Sequence, residues 1–185
     1  MAAAAAKTPP KRVQQPQPQT SKHLRMFILV LCFIGLCISS FGLYIEIVKE
    51  NNPNYVPFCD INSYIACSRA LTSRYGKGFG LVDKFLSNTS ILNQPNTVYG
   101  IAFYTSQAML SLSSSSSTAV VQTVASVFAN IGSIYLGYIL YYIIKDFCLV
   151  CVSTYVVNFL LLIVCIFRLK GAVSDEIKKT VRKKK

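Results

Sequence analysis

Four long apolar runs leave few folds open to this chain of 185 residues. An α-helix needs about 20 residues, at about 1.5 Å per residue, to cross a membrane core of about 30 Å. The second run is short and reaches that length only by drawing on the serine-rich segment 113–118. The runs predict an all-α integral membrane protein, a four-helix transmembrane bundle. Its predicted segments are helix 1 at 26–48, helix 2 with a serine-rich cytosolic turn at 98–117, helix 3 at 118–144 and helix 4 at 147–168.

Basic residues lie mostly in two tails, residues 1–25 and 169–185, within a chain of net charge +12. They flank apolar runs instead of forming a basic face on a folded module, which argues against nucleic-acid binding. By the positive-inside rule, four spans with two basic tails place both termini in the cytosol. The first tail is rich in Ala, Pro and Gln and is expected to be disordered, and the second is expected to be a basic cytosolic tail.

This orientation places the long first loop, residues 49–97, in the lumen, where we expect it to cover the bundle as a cap. Asn88 begins an N-glycosylation sequon in the loop and is a glycosylation candidate. The ending RKKK is similar to a dilysine-type retrieval signal, although a positive flank of the last helix would look the same. These features predict a multi-pass protein of the endoplasmic reticulum membrane. Three polar residues of the third run should face neighbouring helices: Gln122, Asn130 and Ser133.

The seven cysteines divide into two groups by position. Three lie in mid-span, where we expect buried and unreactive small hydrophobic side chains: Cys32, Cys37 and Cys165. The other four lie on the lumenal side, where disulfides form and persist: Cys59, Cys67, Cys148 and Cys151. Chemistry that uses cysteines is therefore expected on the lumenal side.

Cys148 and Cys151 form a C-x-x-C pair at the start of the fourth run. Asp146 is a residue type that often begins helices, so Cys148 is expected in the first helical turn. Backbone N–H groups and the helix dipole favour a thiolate there, and Lys145 adds positive charge. A dithiol loses two electrons on becoming a disulfide, the number that a quinone gains on becoming a hydroquinone.

Other uses of cysteines fit this sequence less well. The two pairs lie about 80 residues apart, and the only histidine, His23, is in the other compartment, so standard structural zinc spacings are not met. A thioredoxin-like C-x-x-C needs a βαβ setting that is absent here. A non-catalytic tetraspan adhesion protein of claudin type would share the spaced pair Cys59 and Cys67, but such loops use tryptophan and this chain has none.

Three stretches together resemble a known family. They are CDINSYIACSRALTSRYGKGFGLV at residues 59–82, SILNQPNTVYGIAFY at 90–104 and DFCLVCVSTY at 146–155. They are similar to the vitamin K epoxide reductase family, in particular to its animal forms and their reductase-like paralogues. The resemblance covers residues 26–168 and implies a four-helix transmembrane bundle capped by the long first loop.

The resemblance also implies the chemistry. It implies a membrane oxidoreductase that reduces vitamin K epoxide, vitamin K quinone or both to the hydroquinone, with no permanently bound cofactor and no metal. Cys148 and Cys151 correspond to the active-site pair. Cys59 and Cys67 correspond to a shuttle pair that takes electrons from a thioredoxin-like lumenal oxidoreductase. The alternatives are a quinone-linked oxidase that generates disulfides for protein folding, and the non-catalytic tetraspan.

Further positions follow from the same resemblance. Asn96 and Tyr155 match the residues that hydrogen-bond the quinone oxygens. Candidate contacts between the cap and the substrate site are Ser73, Leu71, Tyr75, Phe79, Tyr99 and Phe103. The glycines of SRYGKGFG indicate a turning or closely packed backbone. The family usually has Trp where this chain has Tyr75, and its prototype has an aromatic residue where this chain has Leu71. Binding of coumarin-type anticoagulants is implied by the resemblance, but the walls of the binding site would differ at these two positions.

Overall fold

Five α-helices make up most of the protein in a computed structural model that describes residues 19–62, 64–82, 93–113 and 115–184. A π-helical segment, Ile139–Ile144, extends the fourth helix, and two short 3-10 turns, Arg74–Gly76 and Gly78–Gly80, follow the second. The described part of the chain has only isolated β-bridges and no strand, which confirms the all-α prediction. The helices are α1 (Gln19–Asn51), α2 (Cys67–Thr72), α3 (Asn96–Leu112), α4 (Ser116–Tyr138) and α5 (Leu149–Lys184).

Three of the described helices are long and apolar enough to cross a membrane: Lys22–Asn51, Ser116–Ile144 and Leu149–Arg182. Large apolar side chains point outward along them, as lipid-facing residues would, including Phe33, Phe128 and Phe159. Helix α3 has 17 residues and spans about 25 Å at about 1.5 Å per residue. Three membrane-capable helices are therefore established, and α3 is somewhat shorter.

The segment 98–117, predicted as a helix followed by a serine-rich turn, contains most of helix α3 and the break that follows it. The helix begins at Asn96, directly after Pro95, and ends at Leu112 because Ser113 is extended. Serine competes with the helix for backbone hydrogen bonds, so the serine segment separates two helices instead of lengthening one.

Both tails are more helical than predicted. Helix α1 begins at Gln19, so residues 19–25 are helical, while residues 1–18 lie outside the described chain. Helix α5 continues through the predicted cytosolic tail to Lys184. Its last part contains no proline, and its Lys, Arg, Glu and Ala residues favour helix, so nothing stops the helix where the apolar run ends.

Small residues bring α1 and α3 close together. A Cβ atom at Gly35 would lie 2.4 Å from the ring of Tyr104, and one at Gly100 would lie 2.7 Å from Oγ of Ser39. Such contacts are typical of helices that pack without a hydrophobic driving force in lipid. The Tyr104 ring is buried in a cluster with residues of α1 and α5, including Ile28 and Leu161.

Polar side chains of α4 face the other helices, as predicted. Gln122 and Gln107 each donate a side-chain hydrogen bond to the backbone carbonyl of the other, at 2.9 and 3.1 Å. Asn158 of α5 donates to the Ser133 hydroxyl at 2.9 Å, and Asn130 donates to the carbonyl of Asn158 at 3.0 Å. These bonds connect α3, α4 and α5.

The prediction for the mid-span cysteines is confirmed for two residues and wrong for one. Cys32 and Cys165 are buried at 1% exposure. Cys37 is exposed, because the buried face of α1 passes through Cys32, Gly35 and Ser39 and leaves position 37 on the outer side.

The first loop is held against one end of the helices by contacts with two elements. Arg69 of α2 pairs with Asp146 in the connection between α4 and α5, at 2.6 Å. The backbone N–H of Phe147 donates to the carbonyl of Tyr64 at 2.8 Å. Lys77 pairs with Glu50 at the end of α1. Residues far apart in sequence are thereby brought to the connection that carries the C-x-x-C pair.

Candidate functional site

The first loop contains a disulfide between Cys59 and Cys67, with 5.7 Å between their Cα atoms. Asp60 fixes the start of α2 beside it: one carboxylate oxygen accepts the backbone N–H of Ser68 at 3.0 Å, and the other accepts the Ser68 hydroxyl. The Asp60 carboxylate lies within 4.8 Å of both sulfur atoms. Because the sulfur atoms are joined to each other, this oxidised arrangement offers no thiolate ligand to a metal.

Cys148 occupies the N-cap position of α5, which was predicted for Asp146, so the helix begins two positions later than predicted. Helix α5 begins at Leu149. The Cys148 sulfur accepts the backbone N–H of Cys151 at 3.3 Å, and its carbonyl accepts the N–H of Val152 at 3.0 Å. Asp146, which we expected to begin the helix, is instead engaged by Arg69.

The electrostatics of Cys148 follow from this position, just outside the membrane-capable helix. A hydrogen bond with the Cys151 side chain, supported by the backbone N–H groups of Cys151 and Val150, lowers the pKa of the Cys148 thiol, although burial opposes the effect. Lys145 is exposed in the left-handed conformation at the end of the π-helical segment. The thiolate-favouring setting predicted for Cys148 is present, and its sources are Cys151 and the helix start.

The four predicted redox cysteines are brought into one region. Cys59, Cys67 and Cys148 belong to a single buried cluster, and Cys151 packs against it. Cys148 and Cys67 are both 0% exposed. Two pairs separated by about 80 residues in the sequence therefore share one apolar core, as thiol–disulfide exchange between them requires.

A cavity of about 540 Å³ lies between the helices and the first loop. Its size is within the range of small-molecule sites. Among the predicted site residues, Ser73 does not line it, and its hydroxyl donates instead to the carbonyl of Ala70 at 2.7 Å. The predicted residues that do line it are Cys151, Tyr155, Asn96, Leu71, Tyr75, Phe79, Tyr99 and Phe103.

Sequence analysis missed several polar residues of the cavity wall. Thr154 and Asn158 line the cavity with Cys151 and Tyr155. These four residues stand at positions i, i+3, i+4 and i+7 of one helix and so share a face. The spacing was a signal that could have identified them. Thr97, next to Asn96, also lines the cavity.

Asn96 connects the cavity to the first loop. Its side-chain oxygen accepts the backbone N–H of Phe79 at 2.9 Å, and its amide nitrogen donates to the carbonyl of Tyr75 at 2.7 Å. A carboxamide can accept two hydrogen bonds and donate two, so these contacts leave capacity for a ligand. The predicted role of Asn96 toward a quinone remains a prediction.

The Gly-Phe-Gly turn that Asn96 holds has an unusual backbone. Gly78, Phe79 and Gly80 have φ angles of 53°, 58° and 66°. A Cβ atom at Gly80 would lie 2.4 Å from the Tyr75 ring, so only glycine fits there. The turn places the Phe79 ring 5.5 Å from the ring of Tyr99 in the cavity wall. The turning backbone expected from these glycines is confirmed.

Asn88, the glycosylation candidate, lies outside the described residues.

Comparison with known proteins identifies the chain's relatives. The family model described as the vitamin K epoxide reductase family matches residues 26–166. The chain is 38% identical to vitamin K epoxide reductase complex subunit 1 of Mus musculus over 130 residues, which are 70% of this chain and 81% of the mouse protein. It is 39% identical to the Rattus norvegicus protein of the same name, with the same coverage.

Proposed function

The chain belongs to the vitamin K epoxide reductase family, and we propose on that basis that it is a thiol-dependent membrane oxidoreductase that reduces vitamin K epoxide, vitamin K quinone or both. The observation that carries the proposal is the position of Cys151. It lines the cavity and packs against the buried cluster of the other three cysteines. One sulfur atom thus faces both a ligand-sized space and its source of electrons.

We infer that Cys151 reacts with the substrate and that Cys148 resolves the product. The Cys151 sulfur adds to a quinone carbon, and the carbonyl electron pair moves to an oxygen that takes up a proton. The Cys148 thiolate then attacks the Cys151 sulfur, so that an S–S bond forms, the S–C bond breaks and hydroquinone leaves. The lowered pKa of Cys148 suits the resolving role, because the attacking species is the thiolate.

Cys59 and Cys67 return electrons to the active-site pair in this proposal. Cys67 is fully buried in the same cluster as Cys148. In the recharging step the Cys67 thiolate attacks Cys148, which frees Cys151 as a thiolate, and Cys59 then closes the loop disulfide. A thioredoxin-like oxidoreductase in the lumen is the proposed donor that reduces this disulfide again.

The cavity wall suits a quinone. Aromatic rings of Phe79 and Tyr99 provide an apolar surface, and Asn96 and Tyr155 provide polar groups. We propose that these two polar side chains hydrogen-bond the quinone oxygens, where negative charge builds as electrons arrive. Leu71 and Tyr75 replace larger aromatic residues of relatives, so coumarin-type anticoagulants would meet a differently shaped wall.

We propose that α3 also crosses the membrane, which gives four transmembrane helices in total, with α3 the second along the chain. It packs lengthwise on α1, from Gly100 against Ser39 to Tyr104 against Gly35. Four spans with basic tails place both termini in the cytosol and the first loop in the lumen as a cap, in the endoplasmic reticulum membrane. Asn88 would then be open to glycosylation, and the RKKK ending would be accessible to cytosolic retrieval machinery.

Turnover of vitamin K epoxide and of vitamin K quinone by the purified full-length protein, with dithiothreitol as reductant, tests the proposal. We expect hydroquinone or quinone to form with the wild type and not with Cys151→Ser. Cys37→Ser, at an exposed cysteine that neither belongs to the cluster nor lines the cavity, is the matched control and should keep full activity. A folded wild type that turns over neither substrate would refute the proposed function.

A further inference from the structure

Glu46 is an acidic residue buried where the surroundings are mostly apolar. It is 3% exposed on α1, inside the membrane-capable segment. Among the acidic side chains that the structure describes, it is the most completely buried. Acidic residues within membrane spans are rare and usually functional, because burying a charge without a partner is unfavourable. Glu46 has no part in the relay of four cysteines, so its burial needs another explanation.

The two oxygens of the Glu46 carboxyl differ in their contacts. Oε2 accepts a hydrogen bond from the Thr97 hydroxyl at 2.6 Å. Oε1 is buried and has no hydrogen-bond partner among the described residues. Buried polar atoms that only support a fold are nearly always paired. A carboxyl oxygen kept buried and unpaired can bind and release a proton without first breaking a protein contact.

Glu46 adjoins the redox site through two neighbours. Thr97, its hydrogen-bond partner, lines the cavity together with Cys151. Ile45, the preceding residue, belongs to the buried cluster that contains Cys148 and packs against Cys151. The Glu46 carboxyl also interacts electrostatically with the Cys151 thiol. The other charged groups that act on Glu46 are Lys77 and Glu50, which are exposed and paired with each other.

We propose that Glu46 is the proton carrier of the active site, taking the proton from the Cys151 thiol and passing it through the Thr97 hydroxyl to the quinone. This inference rests on the proposed function. In the first half of the step, the S–H bond of Cys151 breaks and an O–H bond forms on Glu46. In the second half, the thiolate adds to the quinone, the Thr97 hydroxyl gives its proton to the substrate oxygen, and the Glu46 O–H bond breaks as its proton replaces the one that Thr97 gave.

The balance of the whole reaction is kept. Cys148 and Cys151 together lose two electrons and two protons on forming their disulfide, and the quinone gains both. Glu46 returns to its starting state, since it gains and loses the same proton. The second proton is released by the Cys148 thiol when it ionises to the thiolate that attacks Cys151, and the departing hydroquinone takes it up. An apolar cavity holds little water that could carry the first proton. Glu46 is the group that carries it in this proposal.

Replacement of Glu46 by glutamine tests the inference. Glu46→Gln keeps the shape of the side chain and can still accept the Thr97 hydrogen bond, but its amide cannot carry a proton. We expect dithiothreitol-driven turnover of vitamin K quinone to fall about 100-fold, within the usual range for proton-transfer groups. Glu46→Asp should restore part of the rate. Glu176→Gln, the same change at an exposed residue near the end of α5, is the matched control and should act like the wild type.

The pH profile separates proton transfer from a structural role. The reactive state holds one proton shared between Glu46 and Cys151, so wild-type turnover should fall when a rise in pH removes that proton. Glu46→Gln should lack this alkaline fall. A purely structural defect would instead lower the turnover rate by the same factor at every pH. Should Glu46→Gln fail to fold, Thr97→Val, which removes only the hydroxyl, should show a similar loss.

The outcomes distinguish this inference from the proposed function. An active wild type together with a folded Glu46→Gln of equal rate and unchanged pH profile would overturn the role of Glu46 alone. Normal activity of Thr97→Val would refute the relay through its hydroxyl. If the wild type itself does not reduce vitamin K, the proposed function fails first. A loss in Glu46→Gln without loss in Glu176→Gln supports the proton carrier.

Discussion

The Cys148 sulfur accepts the backbone N–H of Cys151, with 3.3 Å between the two atoms. The pair is thus related as the N-cap residue and the third residue of one helix. Cys151 lines the cavity, whereas Cys148 is fully buried in the cluster with Cys67. The two thiols of the motif therefore have different neighbours, which suits them to different steps.

Cys148→Ser should trap the substrate on Cys151. Serine is a good N-cap residue, so α5 should keep its start and the protein its fold. Without the resolving thiol, the adduct between Cys151 and quinone has no intramolecular route to disulfide. We expect turnover to fall to background and mass spectrometry of the intact protein to show added quinone. Cys151→Ser should be inactive and should form no adduct. An adduct in that variant would contradict the proposal that Cys151 is the attacking sulfur.

Tyr155→Phe should slow the reaction without weakening the fold. The Tyr155 ring lines the cavity beside Cys151, and the substitution removes only the hydroxyl. Loss of one hydrogen-bond donor to a developing oxyanion costs about 2.7–4 kcal/mol of transition-state stabilisation, or about 10²–10³-fold in rate. The rate constant for turnover and the thermal midpoint should be measured together. A near-normal rate would place the oxygen contact elsewhere.

Asn96→Ala should differ from Tyr155→Phe because Asn96 also holds the first loop. It loses the bonds to Phe79 and Tyr75, each worth about 0.5–1.5 kcal/mol. We therefore expect both a lower rate and a free energy of unfolding reduced by about 1–3 kcal/mol. Parallel denaturation of the two variants in detergent is the measurement. An equally stable Asn96→Ala would mean that the loop is held mainly by other contacts.

The apolar runs predicted which segments are helices but not where they end. A run marks the part of a helix that can face lipid, whereas the helix itself continues as long as the residues favour it. Helix α5 shows this, since its polar and charged residues extend it to Lys184. Helix α3 shows the reverse case, where serine ends the helix at Leu112.

Chain position and the family resemblance indicated four cysteines as redox candidates, whereas the surroundings of single polar residues depend on three-dimensional neighbours. Glu46 stands near the end of an apolar run, where a charge normally marks the membrane surface. In the folded chain it is buried, and its carboxylate accepts the Thr97 hydroxyl from another helix. The sequence predicts Asp146 as a helix cap, because its actual partner, Arg69, is 77 residues away in sequence.

Arg69→Gln should weaken delivery of electrons more than the chemistry on the substrate. Arg69 pairs with Asp146 at 2.6 Å and ties α2, which begins with Cys67, to the connection that carries Cys148. The Arg69 side chain is 54% exposed, so its contribution to stability should be small, at about 0.2–1 kcal/mol. Misplacement of reacting sulfur atoms is more costly, and we expect about a tenfold loss with a thioredoxin-like donor. Dithiothreitol-driven turnover should stay near normal; equal losses with both donors would contradict this role.

The orientation of the chain can be tested with tags on both tails. Basic residues in both the N-terminal and the C-terminal tail predict that both tags face the cytosol. Added protease should remove both from sealed microsomes, and Asn88 should be glycosylated only if its loop is lumenal. Protection of both tags would show the opposite orientation. The cysteine pairs would then lie in a reducing compartment, where the proposed relay could not operate.

Removal of the loop pair separates electron delivery from chemistry. Cys59 and Cys67 are joined in the first loop, whereas Cys151 lines the cavity. A small thiol such as dithiothreitol can reach the active-site pair directly, while a folded thioredoxin-like donor needs the loop. Cys59→Ala/Cys67→Ala should therefore retain much of its dithiothreitol-driven turnover and lose activity in cells, and Cys151→Ser should be inactive in both assays. If the double variant is folded and as inactive with dithiothreitol as Cys151→Ser, then the disulfide serves to hold the loop over the cavity and not to carry electrons.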